Sequence, residues 1–377
     1  MDPLSFIDKS VKQIYKTYEE LHRLAEPSWQ EKQTSAYIAN ELRNAGIAFK
    51  TFDSHYGIAA EIPGTMKEAV ILRADLDALV QEVDGRVRPN HSCGHDAHST
   101  MVLYTALAIA KSGVKPRHTL RFIFQPAEEK GEGALKMMSE GVLKDAEYLF
   151  GLHLRPSFEV PFNQASPVII HSSSGTIKGR IKGRQAHAAR PDDGINAIEA
   201  AALLVHKLKQ VTIDTKASYS IKMTQLQTSN NASNVIPETA DFSLDARAQE
   251  NRVMTELKRL AHLVMDEVSA ETGTEISCTL EEFVPAAQPN KDAMKIAETA
   301  IKDVLGEENF LPVCISPGGE DFHFYTLENP GINATMVGLG CGLAPGLHHP
   351  KMSFRKEALI YGCKILIKTV LLASEKE

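Results

Sequence analysis

The segment His91-Ser92-Cys93-Gly94-His95-Asp96-Ala97-His98 concentrates three histidines, a cysteine and an aspartate, in a chain with 14 histidines and five cysteines. A cysteine thiolate and neutral imidazoles are good ligands for borderline divalent ions. The i, i+2 spacing of Cys93 and His95 places both on one side of an extended segment, and Gly94 lets the backbone approach closely. A polar loop with solvated histidines is the plain alternative. More donors, however, follow apolar runs of strand length. Gln125-Pro126-Ala127-Glu128-Glu129 comes directly after Leu120–Phe124. Adjacent carboxylates at a buried strand end are costly unless paired or metal-bound. On extended backbone their side chains diverge, so one could ligate while the other acts as general base. Taken alone, such a pair is also an ordinary loop feature. His153 ends another short run, where a structural histidine is the commoner case, and Leu347-His348-His349-Pro350 follows a glycine-rich stretch. Asp75 and Asp77, after Ala69–Leu72, share a side of their strand and could hold ligand histidines or lie near metal.

The elements that must position these residues alternate. Residues 6–45 read as helical with a break at Glu26-Pro27-Ser28. Short runs then suggest strands at Tyr56–Ile62, Ala69–Leu72, Leu120–Phe124 and Tyr148–Leu152, with helices at Thr100–Lys111 and Gly133–Glu140 between them. That alternation predicts a mostly parallel central sheet covered on both faces, whose strand ends are where ligands converge. After about residue 165 the pattern becomes β-α-β-β-α-β: Val168–Lys182, Gly194–Val211, Ser218–Gln227, Thr239–Ala248, Asn251–Thr272 and Glu275–Phe283. This is the ferredoxin-like split motif. The first style returns with a helix over Lys291–Leu305, a strand over Asn333–Leu339 and a helix over Lys356–Ala373. The expected architecture is α/β: a discontinuous domain, 1–165 and 286–377, interrupted by an α+β domain at 166–285.

Composition narrows the function classes. The 377 residues are too many for one ordinary domain, and 43% apolar with 24% charged residues is a globular balance. A net charge of −7 without a basic run disfavours nucleic acid and anionic membranes as partners. Cys93, Cys278, Cys314, Cys341 and Cys363 are scattered and odd in number, which argues against a disulfide framework and for a reducing, cytoplasmic location. The start Met1-Asp2-Pro3-Leu4-Ser5 shows no basic-then-apolar leader pattern, and no apolar run reaches membrane-spanning length.

Several motifs, in order along nearly the whole chain, resemble the dinuclear metallo-amidohydrolases. That family includes hippurate hydrolase, N-acyl-L-amino-acid amidohydrolase and the auxin-conjugate hydrolases, with carboxypeptidase G and aminoacylase as more distant relatives. The motifs are Glu26–Glu31, Arg73-Ala74-Asp75-Leu76-Asp77-Ala78-Leu79, Cys93-Gly94-His95-Asp96, Pro126-Ala127-Glu128-Glu129, His153, Gly319-Glu320-Asp321-Phe322 and Leu347-His348-His349-Pro350. The resemblance implies a zinc-peptidase-like catalytic domain with an inserted lid that often dimerises. It implies two divalent ions (manganese, zinc or cobalt) on Cys93, His95, Glu129, His153 and His348, with His349 as the fallback for His348. Glu128 would be the general base, working with metal-activated water, and Asp77 would orient a ligand. Gly183–Pro191 and Asn234-Val235-Ile236-Pro237 resemble the family's lid motifs. By the same resemblance His187 would reach the scissile carbonyl oxygen, often across a dimer. Asn234 and Arg247 would meet substrate polar groups, an ion pair at a strand edge being an equal alternative for Arg247. Departures include Val80 for Pro, Ser92 for Ala, and Arg184-Gln185 for Gly-Gly; none removes a ligand.

The expected activity is cleavage of N-acyl or N-aroyl amino acids to a carboxylic acid and a free amino acid. A di- or tripeptidase with the same machinery, a non-catalytic binding relative and a cysteine hydrolase using Cys93 are the competing readings.

Overall fold

Ala69–Asp75 is a strand buried at every residue, as a near-continuous apolar run is when both faces of its sheet are covered. It pairs in parallel with Thr119–Gln125 on one side and Ala146–Pro156 on the other, and Ala146–Pro156 pairs in parallel with Asn333–Leu343. Antiparallel strands close both margins. The seven-stranded order is Ala48–Thr51, Ile58–Ile62, Thr119–Gln125, Ala69–Asp75, Ala146–Pro156, Asn333–Leu343, Ala165–Ser166. This computed structural model describes residues 1–230 and 232–376. Asn231, in the expected insertion, and Glu377, at the end of the expected second catalytic segment, lie outside the described residues.

Alternation along the strands divides the buried side chains. Leu72, Phe122, Phe124, Phe150 and Leu154 join the main apolar core with Met101, Leu103 and Leu366. Arg73 and Gln125 are buried outside that core and bond to each other. His95–Ser112 is apolar nearly all round, buried from His95 to Ile109, and packs against the Glu357–Ser374 helix and the Ala69–Asp75 strand. Gly362 permits close approach of the two helices, because a Cβ there would stand 2.0 Å from Met101 Sδ.

The central helix begins at His95, five residues before the expected Thr100. Gly94, at φ 93°, turns the chain directly from Cys93 into it. The extended geometry expected for Cys93 and His95 is therefore replaced by a loop residue and the first residue of a helix. Likewise Glu128–Lys130 is a 3-10 turn entered through Ala127 at φ 52°, not extended backbone. The hairpin Leu79–Val83 and Arg86–Asn90 carries no strong apolar alternation and lies outside the expected strands.

The chain divides into two compact units, residues 1–170, 288–316 and 321–377, and residues 171–287 and 317–320. In the second, Tyr219–Thr228, Thr239–Ala248, Ser173–Lys182 and Glu275–Val284 lie side by side in that order, all antiparallel. With helices Ala197–Leu208 and Asn251–Thr272 this is the ferredoxin-like arrangement. Its core includes Ile177, Ile181, Leu204, Leu244 and Leu257. The strand expected over Val168–Lys182 breaks at Ser172, whose amide donates to Gly318 O instead of a ladder partner. Among the described residues no helix is long and apolar enough to cross a membrane.

Candidate metal centre

Five of the expected ligands come together in the first unit. Ligand atoms of Cys93, His95 and His153 lie within 4.8 Å of one another, and those of Cys93, Glu129 and His348 do the same. The two triads share Cys93 Sγ. Glu128 belongs to neither, but groups with His95 and Glu129, its Oε2 standing 3.7 Å from His95 Nε2. His348 Nε2 is 3.7 Å from Glu129 Oε2, whereas His349 turns its Nδ1 to the Lys351 amide.

Each donor is placed by its element. Cys93 and His95 flank the helix entry, Glu128 and Glu129 follow the Thr119–Gln125 strand, and His153 sits in the C-terminal half of the Ala146–Pro156 strand opposite Gly338. His348 adopts a left-handed φ of 62°, an uncommon state for a non-glycine residue. Its backbone is tethered twice: its amide donates to Ser92 O and its carbonyl accepts from Gln81 Nε2 in the hairpin. Asn90, also in the hairpin, donates to Pro350 O.

Asp77 ties the parts together. Its Oδ1 accepts from His95 Nδ1 at 3.2 Å and from the Glu128 amide at 3.2 Å. Its Oδ2 accepts from Ser28 Oγ at 2.6 Å and from the Glu129 amide at 3.1 Å. Burial alone would raise its pKa, but the bonds from His95, Ser28 and Glu129 prevail and hold the carboxyl below the usual range. With Nδ1–H donated to Asp77, His95 presents Nε2 toward the other donors. His153 similarly donates Nδ1–H to Leu154 O and faces Cys93 Sγ with Nε2 at 3.6 Å.

The chemistry of this donor set fits divalent ions. His95 Nε2 is buried without a hydrogen-bond partner, an expensive condition for a polar atom with no ligand to serve. Burial holds His153 well below the ordinary imidazole range, which keeps it neutral and able to donate a lone pair. Burial and the Glu129 charge push the Cys93 thiol up, so a thiolate here requires compensating positive charge.

His98, three residues after His95, is not available as a ligand. Its Nδ1–H donates to Asp75 Oδ1 at 2.7 Å and its Nε2 accepts from the Leu154 amide at 3.0 Å. Asp75 also accepts from Arg73 at 2.7 Å, and Arg73 reaches Asp321 Oδ1 at 2.7 Å. Residue type and spacing alone give no role to Ser28, Glu31, Arg73 or Asp321. Their only signal was membership of the matched motifs, because a buried polar network leaves no periodicity to read.

His187, Asn234 and Arg247 belong to the second unit and are exposed. His187 pairs with Val235 in a short ribbon, and the Ala188 amide donates to Asn234 O at 2.9 Å. Arg247 pairs with Asp245 at 2.8 Å, on a strand flanked by neighbours on both sides and so not at an edge.

Known proteins resemble this chain in sequence and in fold. A sequence profile of Peptidase family M20/M25/M40 matches residues 71–372. IAA-amino acid hydrolase ILR1-like 2 of Arabidopsis thaliana is 31% identical over 373 residues, spanning 93% of this chain and 83% of that one. N-acetylcysteine deacetylase of Bacillus subtilis is 29% identical over 371 residues, spanning 94% and 95%. A crystal structure of a dinuclear metal binding peptidase of the M20 family from Bacillus subtilis superposes with a TM-score of 0.84 at 25% identity, covering 98% of this chain and 100% of that one. On the match over residues 71–372 and these relatives, the chain belongs to Peptidase family M20/M25/M40.

Proposed function

We propose that the protein cleaves the amide bond of N-acyl amino acids, releasing a carboxylic acid and a free amino acid, with two divalent ions held by Cys93, His95, Glu129, His153 and His348. Membership of the family makes it a hydrolase of amide bonds. The observation that carries the reading is the pair of triads sharing Cys93, with Glu128 beside them but in neither. The activities for which the plant hydrolase and the bacterial deacetylase are named, both directed at N-acylated amino acids, support this substrate class.

When bound, the ions supply electrophilic activation of water and of the amide carbonyl. Cys93, His95, Glu129, His153 and His348 would hold them, Cys93 Sγ being the atom common to the two triads. Glu128 takes the proton of the attacking water and returns it to the leaving amine nitrogen. Asp77 holds His95 in the tautomer that ligates and fixes the backbone of both glutamates. For the inserted unit we assign His187 as donor to the carbonyl oxygen, and Asn234 and Arg247 to substrate polar groups. A substrate carboxylate at Arg247 would compete with Asp245 for the guanidinium. The motif matches and the exposure of all three support these roles. The discontinuous 1–165 and 286–377 domain is the catalytic part in this reading, and 166–285 is a lid through which two copies associate. Five unpaired cysteines, four of them buried, support a cytoplasmic location.

Chelation followed by reconstitution with manganese, zinc or cobalt tests the assignment, with N-acyl amino acids and dipeptides compared at equal concentration. The expected result is loss of hydrolysis on chelation, its return with metal, and faster turnover of the acylated amino acids. Hydrolysis that survives complete metal removal would overturn the reading, and faster turnover of dipeptides would replace it with a peptidase.

A further inference from the structure

Glu31 is wholly buried and lies just before the Lys32–Asn44 helix. An acidic residue in that place ordinarily caps its helix, but here that work falls to Glu26, which accepts from the Gln33 and Thr34 amides. Glu31 Oε1 instead accepts from two other amides, Trp29 at 2.9 Å and Ala127 at 2.9 Å. Both donors are non-glycine residues in the left-handed region, Trp29 at φ 67° and Ala127 at φ 52°. Such backbone persists only where its surroundings over-determine it. Ala127 immediately precedes Glu128 and Glu129, and its carbonyl is held from the other side by the Gly133 amide at 3.2 Å. Neighbouring Ser28 meets the same loop through Asp77.

We infer that Glu31 is a positioning residue: by holding the Ala127 amide it sets the turn that aims Glu129 at the bound ions and Glu128 at the attacking water. The inference rests on the proposed role of those two glutamates. Only Oε1 is engaged, while Oε2 is buried with no hydrogen-bond partner. The acceptor oxygen, and not a negative charge, is therefore what the loop uses. Glutamine supplies that oxygen at the same reach; alanine supplies none, and aspartate falls one methylene short.

The test compares wild type, Glu31→Ala, Glu31→Asp and Glu31→Gln, each loaded with Co²⁺. It reads the visible Co²⁺ spectrum, metal affinity by competition with a chelator, and kcat and KM on an N-acetyl amino acid. Loss of an outer partner of a metal site typically costs about 10–100-fold in affinity or activity, and that loss is expected for Glu31→Ala and Glu31→Asp in affinity and in kcat, with KM little changed. Their Co²⁺ spectra should shift, and Glu31→Gln should restore all three readouts to within about threefold, since the acceptor is kept. If Glu31→Ala does not fold, the aspartate and glutamine variants decide the matter alone. Folded Glu31→Ala or Glu31→Asp with a wild-type spectrum, affinity and kcat would overturn the inference, as would Glu31→Gln as impaired as the alanine variant. If wild type hydrolyses no N-acyl amino acid, the proposed substrate class fails, while the spectra and affinities still judge Glu31.

Discussion

A carboxylate that accepts four hydrogen bonds in a buried site cannot be replaced by an amide without turning an acceptor into a donor. Asp77 is in that position, with His95, Ser28, Glu128 and Glu129 donating to it. Asp77→Asn would set an N–H₂ against at least one of these donors and loosen the His95 tautomer. We predict a fall of about 10–100-fold in metal affinity, measured by chelator competition, with the fold retained by circular dichroism. His323 makes a separate prediction. Burial, reinforced by the Arg73 charge, lowers its pKa from 6.5 to about 3. The unfolded chain therefore takes a proton at His323 below about pH 6.5 that the folded chain refuses. Stability supplied by this residue is complete above that pH and drains away as pH falls toward 3. Between pH 6 and pH 5 wild type should lose about 1 kcal/mol more than His323→Gln in urea titrations. Equal losses would show that His323 titrates normally.

At the scale of elements, short loops at strand ends do the positioning, and glycine decides whether they close. A Cβ on Gly133 would stand 1.7 Å from Pro126 O, backbone that cannot move without shifting Glu128 and Glu129. Gly133→Ala should therefore cost about 1–3 kcal/mol of stability by thermal melt and also lower turnover in the molecules that remain folded. Unaltered turnover would mean that the loop tolerates the displacement. These loops also mark where the sequence was legible and where it was not. Cys93 and His95 stood out because soft ligands were crowded into one segment, and Glu128–Glu129 because two charges followed an apolar strand. Their local geometry was misread, because the left-handed turns at Gly94 and Ala127 leave no mark in side-chain alternation. Strand and helix periods over Ala69–Leu72, Leu120–Phe124 and Asn251–Thr272 were readable because burial imposes them. The Leu79–Asn90 hairpin is largely exposed, so nothing imposed a pattern on it. The Glu31 bridge joins positions 96 residues apart and has no local signature at all.

Across the molecule, the metal-binding unit is assembled from chain segments on either side of the inserted one. Asp321, where the chain re-enters this unit, accepts from Arg73, from Gln125 and from the Ala134 amide. A buried ion pair of this kind contributes little net stability but penalises misassembly, because either partner left alone is an uncompensated charge. The result is a frame in which His348, from the last part of the chain, meets Glu129 from the first. In the proposed mechanism this frame holds two ions beside a glutamate that moves protons instead of ligating. Metal content and turnover of Glu128→Gln, measured on the same preparation, test it most directly. The variant should carry two equivalents of divalent metal, as in wild type, with hydrolysis of N-acyl amino acids reduced by about 100-fold or more. Turnover near the wild-type rate, or loss of an ion along with the activity, would contradict it.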